Sequence, residues 1–159
     1  MCVGQEFRRL NNFNGLVEVL SSLHSSPIIR LKTTWELVQK RSKEIMDKLT
    51  NLMSNLGHYR IYTQTLQQLP KTVACLPLLS GVCSDLFLID EHQRDKLEDN
   101  TDWINWNKMT IISKIIDEIF IFKGRYNLQP VEIIQNFILR SQVWEEPDIL
   151  YEIASMEPD

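Results

Sequence analysis

Apolar residues in this chain recur every three or four positions from end to end, and no stretch of useful length alternates apolar with polar. That period belongs to helices packed by one face, so the sequence predicts an all-α fold and no sheet. Val3, Phe7 and Leu10 share a face, although no cap precedes them. Asn12 offers an N-cap to a helix carrying Leu16, Val19, Leu20 and Leu23. Ser26-Pro27 reads as a hydroxyl cap followed by proline at the first helical position, opening a short helix through Ile28, Ile29 and Leu31. Trp35 to Val38 adds an apolar turn, and Ile45, Leu49, Leu52, Met53 and Leu56 mark an amphipathic helix ended by Gly57. His58 to Leu69 reads as helix, with Tyr59, Tyr62 and Leu66 on one face and Pro70 closing it. Beyond a polar, charged stretch from His92 to Asn100, which reads as a hairpin tip or loop, an isoleucine-rich helix is expected over Trp103 to Phe122, ended by Gly124. Pro130 and Pro147 then start two more. No internal repeat is present.

Bulk properties exclude several function classes. At 159 residues the chain is one domain or part of one. Its net charge of -4, without a basic block, argues against nucleic acid as a partner. No apolar run approaches the roughly 20 residues of a membrane helix, and the N-terminus carries no signal-peptide pattern. A cytoplasmic location follows as the expectation. Cys2, Cys75 and Cys83 are odd in number and lack metal-ligand spacing, so reduced thiols are expected, with no metal site and no cofactor. Ser22, Ser25 and Cys83 have no base with the required third partner, which removes nucleophilic catalysis.

The stretch Leu76 to Glu91 holds the candidate site. Pro77 suits a first helical turn, and Leu79, Val82, Cys83 and Leu86 can bury one face. Phe87 and Glu91 lie four apart, so they share a face one turn from each other. Taken alone, Phe87 would be a core residue and Glu91 a solvated carboxylate at a helix end. Trp35, Trp103, Trp106 and Trp144 read as core or interhelical anchors.

Taken in order, the motifs resemble those of Ras-type guanine nucleotide exchange factors, the RasGEF domain family. Leu76 to Glu91 is similar to the front of that family's helical hairpin, V-P-F-L-G-x-x-L-T-D-L-x-F-L-D-E-G-N. Leu10 to Leu23, with its Asn-Asn-Phe-Asn, resembles the family's central helix. Ser25 to Trp35 resembles S-S-x-I-x-R-L-K-x-T-W, and His58-Tyr59-Arg60 the next landmark. Ile104 to Met109 is similar to the I-N-F-x-K-R/M that starts the return helix, and Leu150 to Pro158 to the closing L-Y-x-x-S-x-x-x-E-P. The resemblance covers nearly the whole chain, 1–159, as the central and C-terminal part of the catalytic domain, with the hairpin at about 77–122. The implied architecture is an irregular multi-helix domain with a protruding hairpin, lacking the family's N-terminal helices. A chain that begins there is expected to leave the apolar faces of Phe7, Leu16 and Leu20 uncovered.

The resemblance implies a function without covalent chemistry: release of GDP from a small GTPase of Ras, Rap or Ral type. Phe87 matches the apolar side chain that occludes the magnesium site of the GTPase, and Glu91 the carboxylate that competes with phosphate for its phosphate loop. Ser84 and Asp85 match nearby hairpin positions. His24, Ile29, His58 and Leu78 complete the implied GTPase-binding set, with His24 equally able to cap a turn. Some departures touch the hairpin: Ser80-Gly81 shifts a glycine by one place, His92-Gln93 replaces Gly-Asn, and Leu78 replaces an aromatic residue; outside it, Ile29 replaces a tyrosine found in some members. Three readings stay open: an exchange factor, recruited to the inner face of the plasma membrane through other domains; a non-catalytic module binding a GTPase or a scaffold; and an unrelated helical interaction domain.

Overall fold

The computed structural model describes residues 3–55, 59–97, 102–143 and 147–157. Among them, ten helices follow one another: α1 (Val3–Arg9), α2 (Phe13–Leu23), α3 (Ser26–Ile29), α4 (Lys32–Leu37), α5 (Lys40–Leu52), α6 (Arg60–Gln68), α7 (Leu79–His92), α8 (Trp106–Phe120), α9 (Glu132–Arg140) and α10 (Pro147–Ala154). No strand forms among the described residues; the only β pairings are two isolated bridges, Asn12 with Leu76 and Lys96 with Ile104.

The core is built around α2, which packs against α1, α3 and α5. Phe13 and Leu16 are wholly buried and join Leu20, Leu49, Met53, Tyr62 and Leu78 in one cluster. Asn12 caps α2 as the sequence predicts, its Oδ1 accepting from the Gly15 amide at 2.8 Å. Gly15 is where α1 crosses α2: a Cβ there would sit 2.9 Å from the Phe7 ring. Asn11 takes a left-handed φ of 54°, a conformation asparagine adopts more readily than most residues. From there its carbonyl accepts from the Leu76 amide at 3.0 Å, and the Phe13 amide donates to the Leu76 carbonyl at 2.9 Å. The Asn-Asn-Phe segment is thereby tied to the strand-like 74–76 that leads into the hairpin. Farther on, Gly124 lies against the same connection, since a Cβ there would run into the Val73 and Ala74 backbone.

Several expectations are corrected. Leu16 and Leu20 are buried and Phe7 packs on the core, because α1, α5 and the 74–78 segment cover them. Among the described residues, an exposed apolar face lies instead on α9, where Ile133, Phe137, Ile138 and Leu139 are all mostly exposed. Periodicity marked that helix correctly but could not say whether another segment covers it. Trp103 and Trp106 are exposed rather than anchoring, while Trp35 is half-buried with its indole N–H donating to the Ile28 carbonyl at 2.7 Å. Ser26 is the first residue of α3, and Ser25 stands at the cap with its hydroxyl donating instead to the Ser22 carbonyl. The isoleucine-rich helix is shorter at both ends than its composition suggests, because 103–104 pair with 96–97 before α8 begins. Leu56, Gly57, His58 and Trp144 lie outside the described residues.

Cys75 sits in the partly buried layer on the core, and burial pushes its thiol up to about 11 against the pull of Arg8 and Lys71. The folded state therefore holds the proton more tightly than the unfolded chain. The corresponding stability is full below the unfolded value and is lost as pH rises through the folded one. At pH 8, alkylation of Cys75 by a small reagent is expected to run roughly a hundredfold slower in the folded chain than in urea, as followed by peptide mass spectrometry. Equal rates would mean that this layer is open to solvent.

Candidate functional site

The hairpin is α7, a turn, and α8, which pack against each other. Its base is fastened to the core through the first free amides of α7. Leu78 N–H donates to the Tyr62 hydroxyl at 2.9 Å, and Leu79 N–H donates to Asn14 Oδ1 at 3.2 Å. A helix start leaves such donors without intrahelical partners, and here α6 and α2 supply the acceptors. Tyr62 is itself held edge-on to Phe13, with ring centroids 5.1 Å apart. Burial, first among several influences, raises the Tyr62 phenol, which stays protonated at neutral pH. Beside this base a cleft of about 560 Å³ is lined by Tyr59, Tyr62, Leu66, Gly81, Asp85 and Glu118, among others.

The tip is closed by a compact set of bonds. Asn105 caps α8, its Oδ1 accepting from the Lys108 amide at 3.2 Å. The same residue donates its backbone N–H to the Asp95 carbonyl at 2.7 Å and its side-chain amide to the Arg94 carbonyl at 3.0 Å. Leu97 N–H reaches the Trp103 carbonyl at 3.0 Å. Lys108 is 2% exposed, and its ammonium donates to Asp90 at 2.7 Å and to Asp95 at 2.6 Å. Those hydrogen bonds to Asp90 and Asp95 hold the ammonium above the ordinary lysine range, outweighing burial, which works the other way. His92 closes the last turn of α7 with Nδ1 at 2.7 Å from the Leu88 carbonyl. Among the described residues, no group of three His, Cys, Asp or Glu side chains is arranged to hold a metal ion, and no helix is long and apolar enough to cross a membrane.

Between the fastened base and the closed tip, α7 presents Phe87, 64% exposed, and Glu91, also exposed, one turn apart. The expected burial of the Leu79, Val82, Cys83, Leu86 face is only partial: Leu79 and Cys83 are exposed, and Val82 and Leu86 half-buried. Asp85 and Ser84 lie on the surface beside the basal cleft, Ser84 Oγ donating back to the Ser80 carbonyl at 2.9 Å. Leu78 is a core residue, 4% exposed, which seats the hairpin and shows only an edge to the basal cleft. Ile29 is exposed on α3, away from the hairpin in sequence. His24 is the C-cap of α2, with Nδ1 2.7 Å from the Leu20 carbonyl and Nε2 3.5 Å from Thr50 Oγ1. His58 lies outside the described residues. Reasoning from sequence missed Lys108, since nothing in a pattern of charges tells a covered lysine from a solvated one.

The RasGEF domain model matches residues 1–110. Cell division control protein 25 of Saccharomyces cerevisiae is 38% identical over 137 residues, 86% of this chain and 9% of that protein. Ras guanine nucleotide exchange factor Y of Dictyostelium discoideum is 32% identical over 157 residues, 98% of this chain and 10% of its own length. Ras-specific guanine nucleotide-releasing factor 2 of Danio rerio is 34% identical over 153 residues, 95% of this chain and 12% of that protein. The chain thus spans about a tenth of the length of these relatives.

Proposed function

The chain belongs to the RasGEF domain family, and on that footing we propose that it promotes GDP release from a Ras-family small GTPase by wedging the α7–α8 hairpin into the nucleotide site. The observation that carries this reading is the exposed pair Phe87 and Glu91, presented on a hairpin anchored at both ends. A nucleotide held at picomolar strength has about -16 kcal/mol of binding free energy. An exchange factor acts on that only by binding the empty GTPase better than the loaded one. Phe87 places hydrocarbon where Mg²⁺ needs oxygen ligands, which the cation does not give up for carbon. Glu91 offers a carboxylate to backbone N–H groups and a lysine that otherwise hold phosphate. Both interactions exist only in the empty state, so both favour release. Ser84, Asp85, Ile29 and His24 are the accessible positions in this reading that extend the interface. No bond is made or broken, and GTP enters by mass action. The proposed setting is the cytoplasm, at the inner face of the plasma membrane.

A second reading, a module that binds a GTPase or scaffold without releasing nucleotide, draws on the exposed apolar face of α9. Release of a fluorescent GDP analogue from Ras, Rap and Ral, with the chain in excess and its helicity checked by circular dichroism, separates the two. Acceleration for at least one GTPase is expected. No acceleration by a folded chain would reject the exchange reading in favour of the second.

A further inference from the structure

Lys108 is the one buried charged side chain among the described residues. It sits in the first turn of α8, where the positive end of the helix dipole disfavours a cation. Desolvation and the dipole therefore both act against it, and its two carboxylate partners account for its being there. Those partners belong to different segments. Asp90 is in the last turn of α7, and Asp95 is in the turn beyond. One ammonium thus joins the end of α7, the tip and the start of α8. Both aspartates are 72% exposed on their outer sides, so the node is a covered cation beneath two anions facing out.

Asp90 directly precedes Glu91. Two adjacent carboxylates in the last turn of α7 pose a selection problem, because either could be offered to a cationic loop. Asp90 is taken up by Lys108, whereas Glu91 has no ion-pair partner among the described residues. We propose that Lys108 is a positioning residue for exchange: by holding Asp90 and Asp95 it fixes the tip and leaves Glu91 as the carboxylate presented to the GTPase. This rests on the exchange reading above.

The test uses the full chain as wild type, Lys108→Met, Lys108→Arg and Asp95→Asn, each checked for helicity. Titrating each against the responsive GTPase gives a maximal release rate and a half-saturating concentration. Lys108→Met is expected to lower the maximal rate roughly tenfold or more, as befits losing charge-assisted hydrogen bonds, with less change in half-saturation. Lys108→Arg is expected to restore most of the rate, since a guanidinium can also bridge two carboxylates. Asp95→Asn, a milder change that keeps the side-chain shape, should fall between. Amide hydrogen exchange at Leu97 and Asn105, measured without any GTPase, should show protection lost in Lys108→Met and kept in Lys108→Arg. Unchanged protection, or lost protection with an unchanged maximal rate, overturns the proposal. If wild type itself fails to accelerate release, the exchange reading has failed, and with it the positioning role; the hydrogen-exchange arm then decides only whether Lys108 holds the tip.

Discussion

Glu91→Ala and Phe87→Ala are each expected to slow stimulated GDP release by roughly 30-fold or more, while leaving the chain as stable as before. Truncating one partner of a desolvated charge pair costs about 2–5 kcal/mol, and at 1.4 kcal/mol per decade the lower end is already about 30-fold. Glu91 meets that description only in the complex, because it is exposed in the free chain. Phe87 is 64% exposed, so its loss removes little packing. Surface changes of this kind usually alter stability by within about 0.5 kcal/mol. A fall in rate therefore cannot be assigned to unfolding, and urea melts of the variants check this directly. Conservative changes sharpen the assignment. Glu91→Gln keeps size and hydrogen bonding but loses the charge, and should fail nearly as badly as alanine if the carboxylate stands in for phosphate. Phe87→Leu keeps hydrocarbon at the same place and should retain most of the rate. If neither alanine variant changes a measured exchange rate, the hairpin is not the element that acts on the GTPase.

What could be read from the sequence divides along a physical line. The helices follow from apolar spacing, and Asn12, Pro27 and Pro147 mark the starts of α2, α3 and α10, because these are local properties of the chain. Pro77 and Pro130, by contrast, each stand two residues ahead of the helix they are expected to open. Coverage is not local. The same period that buries Leu16 and Leu20 leaves Ile133 and Phe137 exposed, since only the former have α1 and α5 beside them. Asn11 and Leu76 are joined by hydrogen bonds that no spacing rule predicts, and that junction is what delivers the chain into the hairpin. Lys108 is hidden for the same reason: its partners Asp90 and Asp95 come from the end of α7 and the turn beyond it, not from its own helix. Phe87 and Glu91 were legible as partners on one face. Their functional reading came from the family resemblance, because periodicity by itself would have placed Phe87 in the core. The structure places both on the surface, which removes the packing explanation for Phe87.

Phe13→Ala is the substitution expected to damage the fold most, by about 3–5 kcal/mol, the usual range for removing a buried aromatic ring. Against the roughly 5–15 kcal/mol of stability of an ordinary domain, that is a third or more of the total for most of the range. The ring is wholly buried, stands edge-on to Tyr62, and lies with its centroid 5.4 Å from the Arg8 guanidinium. Its loss therefore opens a cavity bordered by α1, α2 and α6 together. With a urea slope of about 1–3 kcal/mol per molar, the midpoint should fall by roughly 1–5 M, as read by far-ultraviolet circular dichroism. The effect should also reach the hairpin, because Tyr62 accepts the Leu78 N–H at the start of α7. Tyr62→Phe, which keeps the ring and removes that acceptor, separates the two consequences: a smaller loss of stability, and loosened amide protection at Leu78 and Leu79. Phe137→Ala supplies the contrast. That ring is 73% exposed on α9, so removing it should change stability by within about 0.5 kcal/mol although the residue type is the same. Equal costs at the two phenylalanines would mean that the α9 face is covered in the folded chain, and that the core is not confined to the cluster around α2.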